Sequence, residues 1–260
     1  MKKLLSLILT IGFWMAGANA TVAEADSAYV QDDFARAAAL YQQAIDSLGP
    51  SAERYYNLGN SYYRTGKLGQ AIISYERALR MDPSNQDIKD NLEYVNTKIT
   101  DKPSVNESLV SEAMDTASQS LHPNSWAWIA LATFILALAG VCLYFFVDSV
   151  KLRKLGFFGA GVLLILCILA NIFAYRGARK ATATNTAVIV TPSVILSTTP
   201  RQPKDRTEEA MLLHEGTKVE ILDSISGQKE KEMWYDVKVD DTHRAWISSE
   251  AIEIIEMTDI

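Results

Sequence analysis

The sequence predicts a multidomain chain: an all-α solenoid of stacked helical hairpins, two transmembrane helices, and a C-terminal all-β barrel. Three observations predict it. Small residues (Gly59, Gly66, Ala71, Ala78) recur among bulky ones in the run Asn57–Leu79. Two runs, Trp126–Val147 and Leu155–Tyr175, hold 22 and 21 residues without a charge. Beyond Thr182 the pattern changes to period two with β-branched residues, the signature of short strands.

The chain opens with Lys2-Lys3, an apolar stretch Leu4–Met15 and the small residues of Ala18-Asn19-Ala20. A basic start, a short apolar run and a small-x-small site describe a secretory signal peptide over residues 1–20, cut after Ala20. An uncleaved N-terminal anchor is the alternative, and either one exports the chain from Thr21 onward.

Counting Ala52 as position 1 puts Tyr55 at 4, Leu58 at 7, Gly59 at 8, Tyr62 at 11, Ala71 at 20, Tyr75 at 24, Ala78 at 27 and Pro83 at 32. Two antiparallel helices approach closely only where one side of each contact is small. Gly59, Ala71 and Ala78 supply those positions, and Tyr62, Tyr75 and Leu79 fill the space beside them. Gly66-Lys67 turns the chain, because Gly tolerates a left-handed backbone. Asp82-Pro83 ends the second helix. The pattern resembles the tetratricopeptide repeat, a 34-residue helix–turn–helix, with Tyr55 in place of the usual Trp and Tyr75 in place of Phe. One period earlier, Ala37, Tyr41 and Ala44 predict a helix over Phe34–Leu48, preceded by a shortened helix over Glu24–Gln31. One period later, Gln86–Ile99 reads as a capping helix, because Glu93 stands where Gly is required. The repeats with their cap cover residues 21–100, and residues 101–125 form a polar tether with a helix in Asn106–Ser118.

Stacked repeats present a concave face lined by their first helices. On the helix around Tyr55–Arg64 the groove positions are Glu53, Tyr56, Asn57, Asn60, Tyr63 and Arg64, which are the candidate partner-binding residues. Asparagine can hydrogen-bond an extended backbone, and tyrosine offers contact area at low entropy cost. Asp87 and Asn91 stand where carboxylate-clamp members of the family carry basic residues.

At 1.5 Å per residue, about 20 apolar residues cross a hydrocarbon core of ~30 Å. Residues 126–147 and 155–175 therefore read as two spans. The loop 148–154 between them carries Lys151, Arg153 and Lys154 against Asp148, and a short basic loop stays cytoplasmic. With an exported start, residues 21–125 and 176–260 both face the periplasm of a bacterial inner membrane. The first carries 15 acidic and 9 basic residues and the second 15 and 11, so neither has the basic surface nucleic acid requires. Cys142 and Cys167 fall inside the spans and read as packing residues.

After a linker at 176–182, strands are predicted at Ala187–Val190, Ser193–Leu196, Thr217–Leu222, Trp234–Val239 and Arg244–Ile247. The succession Leu213-His-Glu-Gly216, Thr217–Leu222, Trp234–Lys238, Ala245-Trp246-Ile247 and Ala251-Ile252-Glu253 resembles the bacterial SH3-like domain over residues 183–256. Ala245 replaces the usual Gly, Trp234 and Trp246 read as core, and Pro200–Glu209 is a long polar loop.

No catalytic set is legible. His122, His214 and His243 stand apart, and HExxH, GxSxG, P-loop and GxGxxG motifs are missing from the sequence. The chain reads as a non-enzyme without metal or cofactor. The order of signal peptide, repeats, tether, two spans and barrel resembles the BatE family, the tetratricopeptide component of Bacteroides aerotolerance (Bat) systems. The resemblance implies a membrane-bound scaffold in an oxidative- or envelope-stress complex. Its implied partners are other Bat membrane proteins, including ones with von Willebrand factor A domains, and a MoxR-type ATPase system. The alternative is a cell-wall sensor whose barrel binds peptidoglycan.

The topology is directly testable. Protease added to spheroplasts is expected to digest both flanking regions, and protection of residues 176–260 would contradict the two-span reading.

Overall fold

The computed structural model describes residues 21–101, 109–227, 233–240 and 242–256. The signal-peptide reading of residues 1–20 lies outside the described residues. The chain forms two compact units. One joins the N-terminal helices to the C-terminal strands, and the other comprises Glu107–Thr182 with Asp82–Ser84.

In the first unit, residues 21–30 are helical (α1), followed by α2 (Phe34–Leu48), α3 (Ala52–Arg64), α4 (Leu68–Met81) and α5 (Gln86–Asn96). Three begin at side-chain caps. Asp33, Ser51 and Asn85 accept from the backbone N–H of Arg36, Arg54 and Ile88, satisfying donors that the first helical turn leaves unpaired. Gly66, at φ 79°, turns α3 into α4. The close helix crossing falls at Gly59. A Cβ there would lie 2.7 and 2.8 Å from ring carbons of Tyr75. Tyr41, Tyr55, Leu58, Ile72, Ile73 and Tyr75 form the largest fully buried side chains of this core.

The strands are β1 (Thr186–Ile189), β2 (Ser193–Ser197), β3 (Glu209–His214), β4 (Lys218–Ser226), β5 (Met233–Lys238), β6 (Arg244–Ser248) and β7 (Ile252–Ile254), with one 3-10 turn at Ser249–Ala251. They make one antiparallel sheet in the order β3-β2-β6-β5-β4-β1-β7. The expected barrel is not closed by hydrogen bonds, since β3 and β7 are the two ends of that order. The pairing register shifts at Leu196/Ser197 between β2 and β3 and at Ile221/Asp223 between β4 and β5. β3 falls where the sequence suggests only a motif and the end of a polar loop. Its run Glu-Ala-Met-Leu-Leu-His lacks strict alternation.

The helical repeats and the sheet share one core. Ala187 and Ile189 of β1 point into the sheet's own cluster. Val188 between them, with Ile255, belongs to the repeats' cluster with Ile72 of α4, Val95 of α5 and Ile99 just beyond α5. Strand β1 is thus buried on both faces, as its unbroken apolar run requires. Helix α4 lies close enough that a Cβ on Gly69 would stand 2.7 Å from the carbonyl oxygen of Ile189. Four polar points ring this contact. The Gly69 N–H, in the first turn of α4, donates to Glu215 Oε1 at 2.9 Å, a carboxylate at the positive end of the helix. Arg77 donates to the carbonyls of Ile254 (3.2 Å) and Glu256 (3.1 Å) and pairs with Glu253 at 3.0 Å. Lys218 meets Glu76 at 2.5 Å. Asp101 accepts from the His214 N–H at 2.6 Å and from Thr217 Oγ1 at 2.7 Å, and its other oxygen meets His214 Nδ1 at 3.0 Å.

The second unit contains α6 (Leu109–Ser118), α7 (Pro123–Phe146) and α8 (Val150–Ala181). Both α7 and α8 are long and apolar enough to cross a membrane, with mean hydropathy 2.5 over their best windows. Helix α7 starts three residues before its uncharged stretch and ends one short of its close, whereas α8 runs beyond its stretch at both ends. Lys151, Arg153 and Lys154 belong to the first turns of α8, and the link between the helices shortens to Val147–Ser149. Their seam is made of small side chains: Ala130, Ala137 and Gly140 against Gly156, Ala160, Cys167 and Ala170. A Cβ on Gly156 would stand 2.5 Å from the Gly140 carbonyl oxygen, so the backbones nearly touch. Thr133 bonds the Ile129 and Ala130 carbonyls of its own helix. Helix α6 is tied to α8 by Asp115, which accepts from Arg176 Nε at 3.0 Å.

Gly59→Leu in the full chain is expected to lose about 1–3 kcal/mol by overpacking against Tyr75, read as a lower melting temperature of the helical repeats. An unchanged melting temperature would contradict the crossing. Burial raises the Asp101 carboxyl, but the hydrogen bonds from Thr217 and His214 outweigh it and hold its pKa below the ordinary value. A carboxylate depressed in the folded state stabilises fully above its unfolded pKa of about 4 and loses that contribution as pH falls through the folded value. Chemical-denaturant curves are therefore expected to show a loss of stability below about pH 4 that is smaller in Asp101→Asn.

Candidate functional site

On the side of the repeats formed by α3 and α5 lies a cleft of about 310 Å³. Helix α3 supplies Tyr56, Asn60, Tyr63 and Arg64 to its wall. Tyr29 comes from α1, Tyr75 from α4, and Asn91, Tyr94 and Val95 from α5. The α3 residues stand there because positions 5, 9, 12 and 13 fall on one helix face at 3.6 residues per turn. Tyr55 and Leu58, on the opposite face, are buried in the core.

Of the six residues expected from the sequence, four share this cleft: Tyr56, Asn60, Tyr63 and Arg64. Glu53 is exposed and Asn57 half-buried, and neither lines it. Those not foreseen are Tyr29, Tyr75, Asn91, Tyr94 and Val95. The register does hold a signal for two of them. One 34-residue period beyond Asn57 and Asn60 stand Asn91 and Tyr94, at the same groove positions of the capping helix.

The cleft is held by its own hydrogen bonds. Asn91 Nδ2 donates to Tyr56 Oη at 2.8 Å and to Asn60 Oδ1 at 3.3 Å. The buried Tyr75 hydroxyl donates to the same Asn60 oxygen at 2.7 Å. The Asn60 oxygen, expected to face a ligand, is thus committed to the groove wall. Desolvation raises the Tyr75 phenol well above its ordinary pKa, with nearby tyrosines adding to the effect. At the rim the Tyr63 and Tyr94 rings meet edge to face at 5.7 Å, and their mutual hydrogen bond raises the Tyr63 phenol and lowers that of Tyr94. The Arg64 guanidinium lies 4.0 Å over the Phe34 ring and 3.4 Å from Asp32, which orients it by cation–π attraction.

Such a surface has polar edges, aromatic faces and one cation. Such groups offer a chain segment contact area and hydrogen bonds. Elsewhere, among the described residues, no group of three or more His, Cys, Asp and Glu converges as a metal site. The three histidines have structural contacts: His122 caps α7, His214 meets Asp101, and His243 meets Asp240.

Comparison with known proteins agrees with the helical part of this picture. The family described as "Tetratricopeptide repeat" matches residues 22–86, so the chain contains tetratricopeptide repeats. Over 69 residues it is 35% identical to "Protein SGT1 homolog" of Oryza sativa subsp. japonica, covering 26% of this chain. The match spans about a fifth of that relative, 19% of its length.

Tyr75→Phe removes the hydroxyl that fixes Asn60. A net loss of about 1 kcal/mol is expected in denaturant unfolding, with the helical signal at low denaturant unchanged. No loss would mean that the Tyr75–Asn60 bond does not hold the wall.

Proposed function

We propose that the protein is a membrane-anchored scaffold whose repeat groove binds an extended segment of another envelope protein. The observation that carries this reading is the cleft itself. Its wall is fixed from within by Asn60, Tyr75 and Asn91, while Tyr63, Tyr94 and Arg64 stand at the rim. Preorganised aromatic and polar groups lower the ordering cost of binding. The β domain covers the side of α4 at Gly69 and Arg77 and leaves the α3–α5 cleft open.

The membrane part rests on α7 and α8. The shared core of repeats and sheet requires both to lie on one side of a bilayer, as an even number of spans provides. With the signal peptide expected over residues 1–20, that side is the periplasm and the Lys151–Lys154 turn is cytoplasmic. We further read the chain as a BatE-type component of a Bat aerotolerance complex, not an enzyme. Its partners would be Bat membrane proteins, including those with von Willebrand factor A domains, working with a MoxR-type ATPase system. The sheet is read as SH3-like in strand content and motif order. The alternative is a peptidoglycan-binding role for the sheet; of the two tryptophans expected in its core, Trp234 is buried at 3% exposure, whereas Trp246 is only partly buried.

The test uses Tyr63→Ala with Arg64→Ala, which removes rim groups and spares the Asn60 network. Losing a binding hot spot costs about 2 kcal/mol or more, over tenfold in affinity. Pull-down from solubilised membranes is expected to lose Bat partners with the variant at unchanged helicity. Recovery of the same partners in the same amounts would exclude the groove as the recognition surface.

A further inference from the structure

At the turn between α7 and α8 two hollows adjoin. The first, about 250 Å³, is lined by Tyr144, Val150, Arg153, Lys154, Phe157 and Phe158. The second, about 610 Å³, runs along the groove between the helices and is lined by apolar residues such as Phe134, Leu138, Val141, Leu164 and Ile165. Tyr144, Phe157 and Phe158 border both, so the cationic hollow opens onto the apolar one. Gly161 keeps the second hollow wide, since a Cβ there would meet nothing within 4 Å.

The charges at the first hollow are uncompensated. Among the described residues neither Arg153 nor Lys154 has an ion pair; Arg153 Nε donates to the Tyr144 carbonyl at 3.1 Å and its guanidinium lies 5.3 Å over the Tyr144 ring. Asp148, the one acid in the link, does not line the hollow. Ser149 leaves the first turn of α8 without a side-chain cap, so the positive end of the helix dipole adds to the same field.

A cationic mouth continuous with an apolar groove matches a molecule with an anionic head and a long apolar tail. We propose that this cleft is a binding site for an anionic phospholipid, with its phosphate on Arg153 and Lys154 and an acyl chain in the groove between α7 and α8. Cations at the bilayer edge favour anionic headgroups over zwitterionic ones. The zwitterionic lipid fills the groove equally well but gains little at the mouth. The site rests on the reading that α7 and α8 span a bilayer.

The experiment uses the purified full chain in mild detergent with dioleoylphosphatidylglycerol or dioleoylphosphatidylcholine added at equal concentration, and native mass spectrometry to count retained lipid. The phosphatidylglycerol adduct is expected to exceed the phosphatidylcholine adduct by about tenfold or more. Arg153→Gln with Lys154→Gln is expected to abolish that preference. Gly161→Leu, which fills the groove, is expected to reduce retention of both lipids. Excess inorganic phosphate is expected to leave phosphatidylglycerol bound, and full displacement would replace the lipid site by a free-anion site and overturn the proposal. A double variant that keeps the wild-type preference would also overturn it. Flotation with phosphatidylcholine vesicles separates the two levels. Chains that float without preferring phosphatidylglycerol refute the lipid site alone, whereas a wild-type chain that does not float refutes the spanning reading and the site with it.

Discussion

Strand β1 holds the repeats and the sheet together, because it packs on both of its faces. Ala187 and Ile189 belong to the sheet's core and Val188 to the helical core. All three are fully buried. A solenoid of two repeats and a cap has few internal neighbours, and about three repeats are usually needed to bury a continuous core. Here the missing neighbour is the sheet. It covers α4, supplies Glu215 to an unpaired helix N–H, and offers backbone carbonyls to Arg77. The burial of Val188, Ile255, Ile72 and Ile99 provides the nonspecific gain. The polar points around it fix the register.

This arrangement bears on recognition. A groove on a thin, free-standing solenoid would flex with its helices. With α4 braced from behind, Tyr75 is held where its hydroxyl reaches Asn60, and Asn60 in turn holds Asn91. Rigidity at the back of the groove thus reaches its wall through two hydrogen bonds. The rim residues are held by fewer bonds: Tyr63 and Tyr94 meet each other, Lys98 lies over the Tyr94 ring, and Arg64 rests on Phe34 and Asp32.

Much of this is legible from residue patterns, and the failures are instructive. The run Phe34–Leu48 is readable to the residue because small positions at a helix crossing tolerate no substitution in size, as Tyr75 against Gly59 shows. Four groove residues come from the same register, and Asn91 and Tyr94 lie one more step along it. The fate of Asn60 is not legible, because its partner Tyr75 reads equally well as plain core. Strand β3 hides in a run without alternation, and the strand order that leaves β3 and β7 as edges is set by pairings between distant segments. The docking of the two parts is also hidden. Asp101 reads as the start of the polar tether, yet its carboxylate meets His214 and Thr217 more than a hundred residues away. Only the unbroken apolar run Ala187–Val190 hints at a strand covered twice.

The central claim is that repeats and sheet form one body around β1. The ion pair between Lys218 and Glu76, 2.5 Å apart, reports on it without any substitution. A carbodiimide joins an amine to a carboxylate only when the two are already in contact. Treatment of the full chain in membranes, followed by peptide mass spectrometry, is predicted to give an amide between Lys218 and Glu76 whose yield does not depend on protein concentration. If Lys218 is instead modified or linked elsewhere with no Glu76 product, the repeats and the sheet are separate bodies and the account fails.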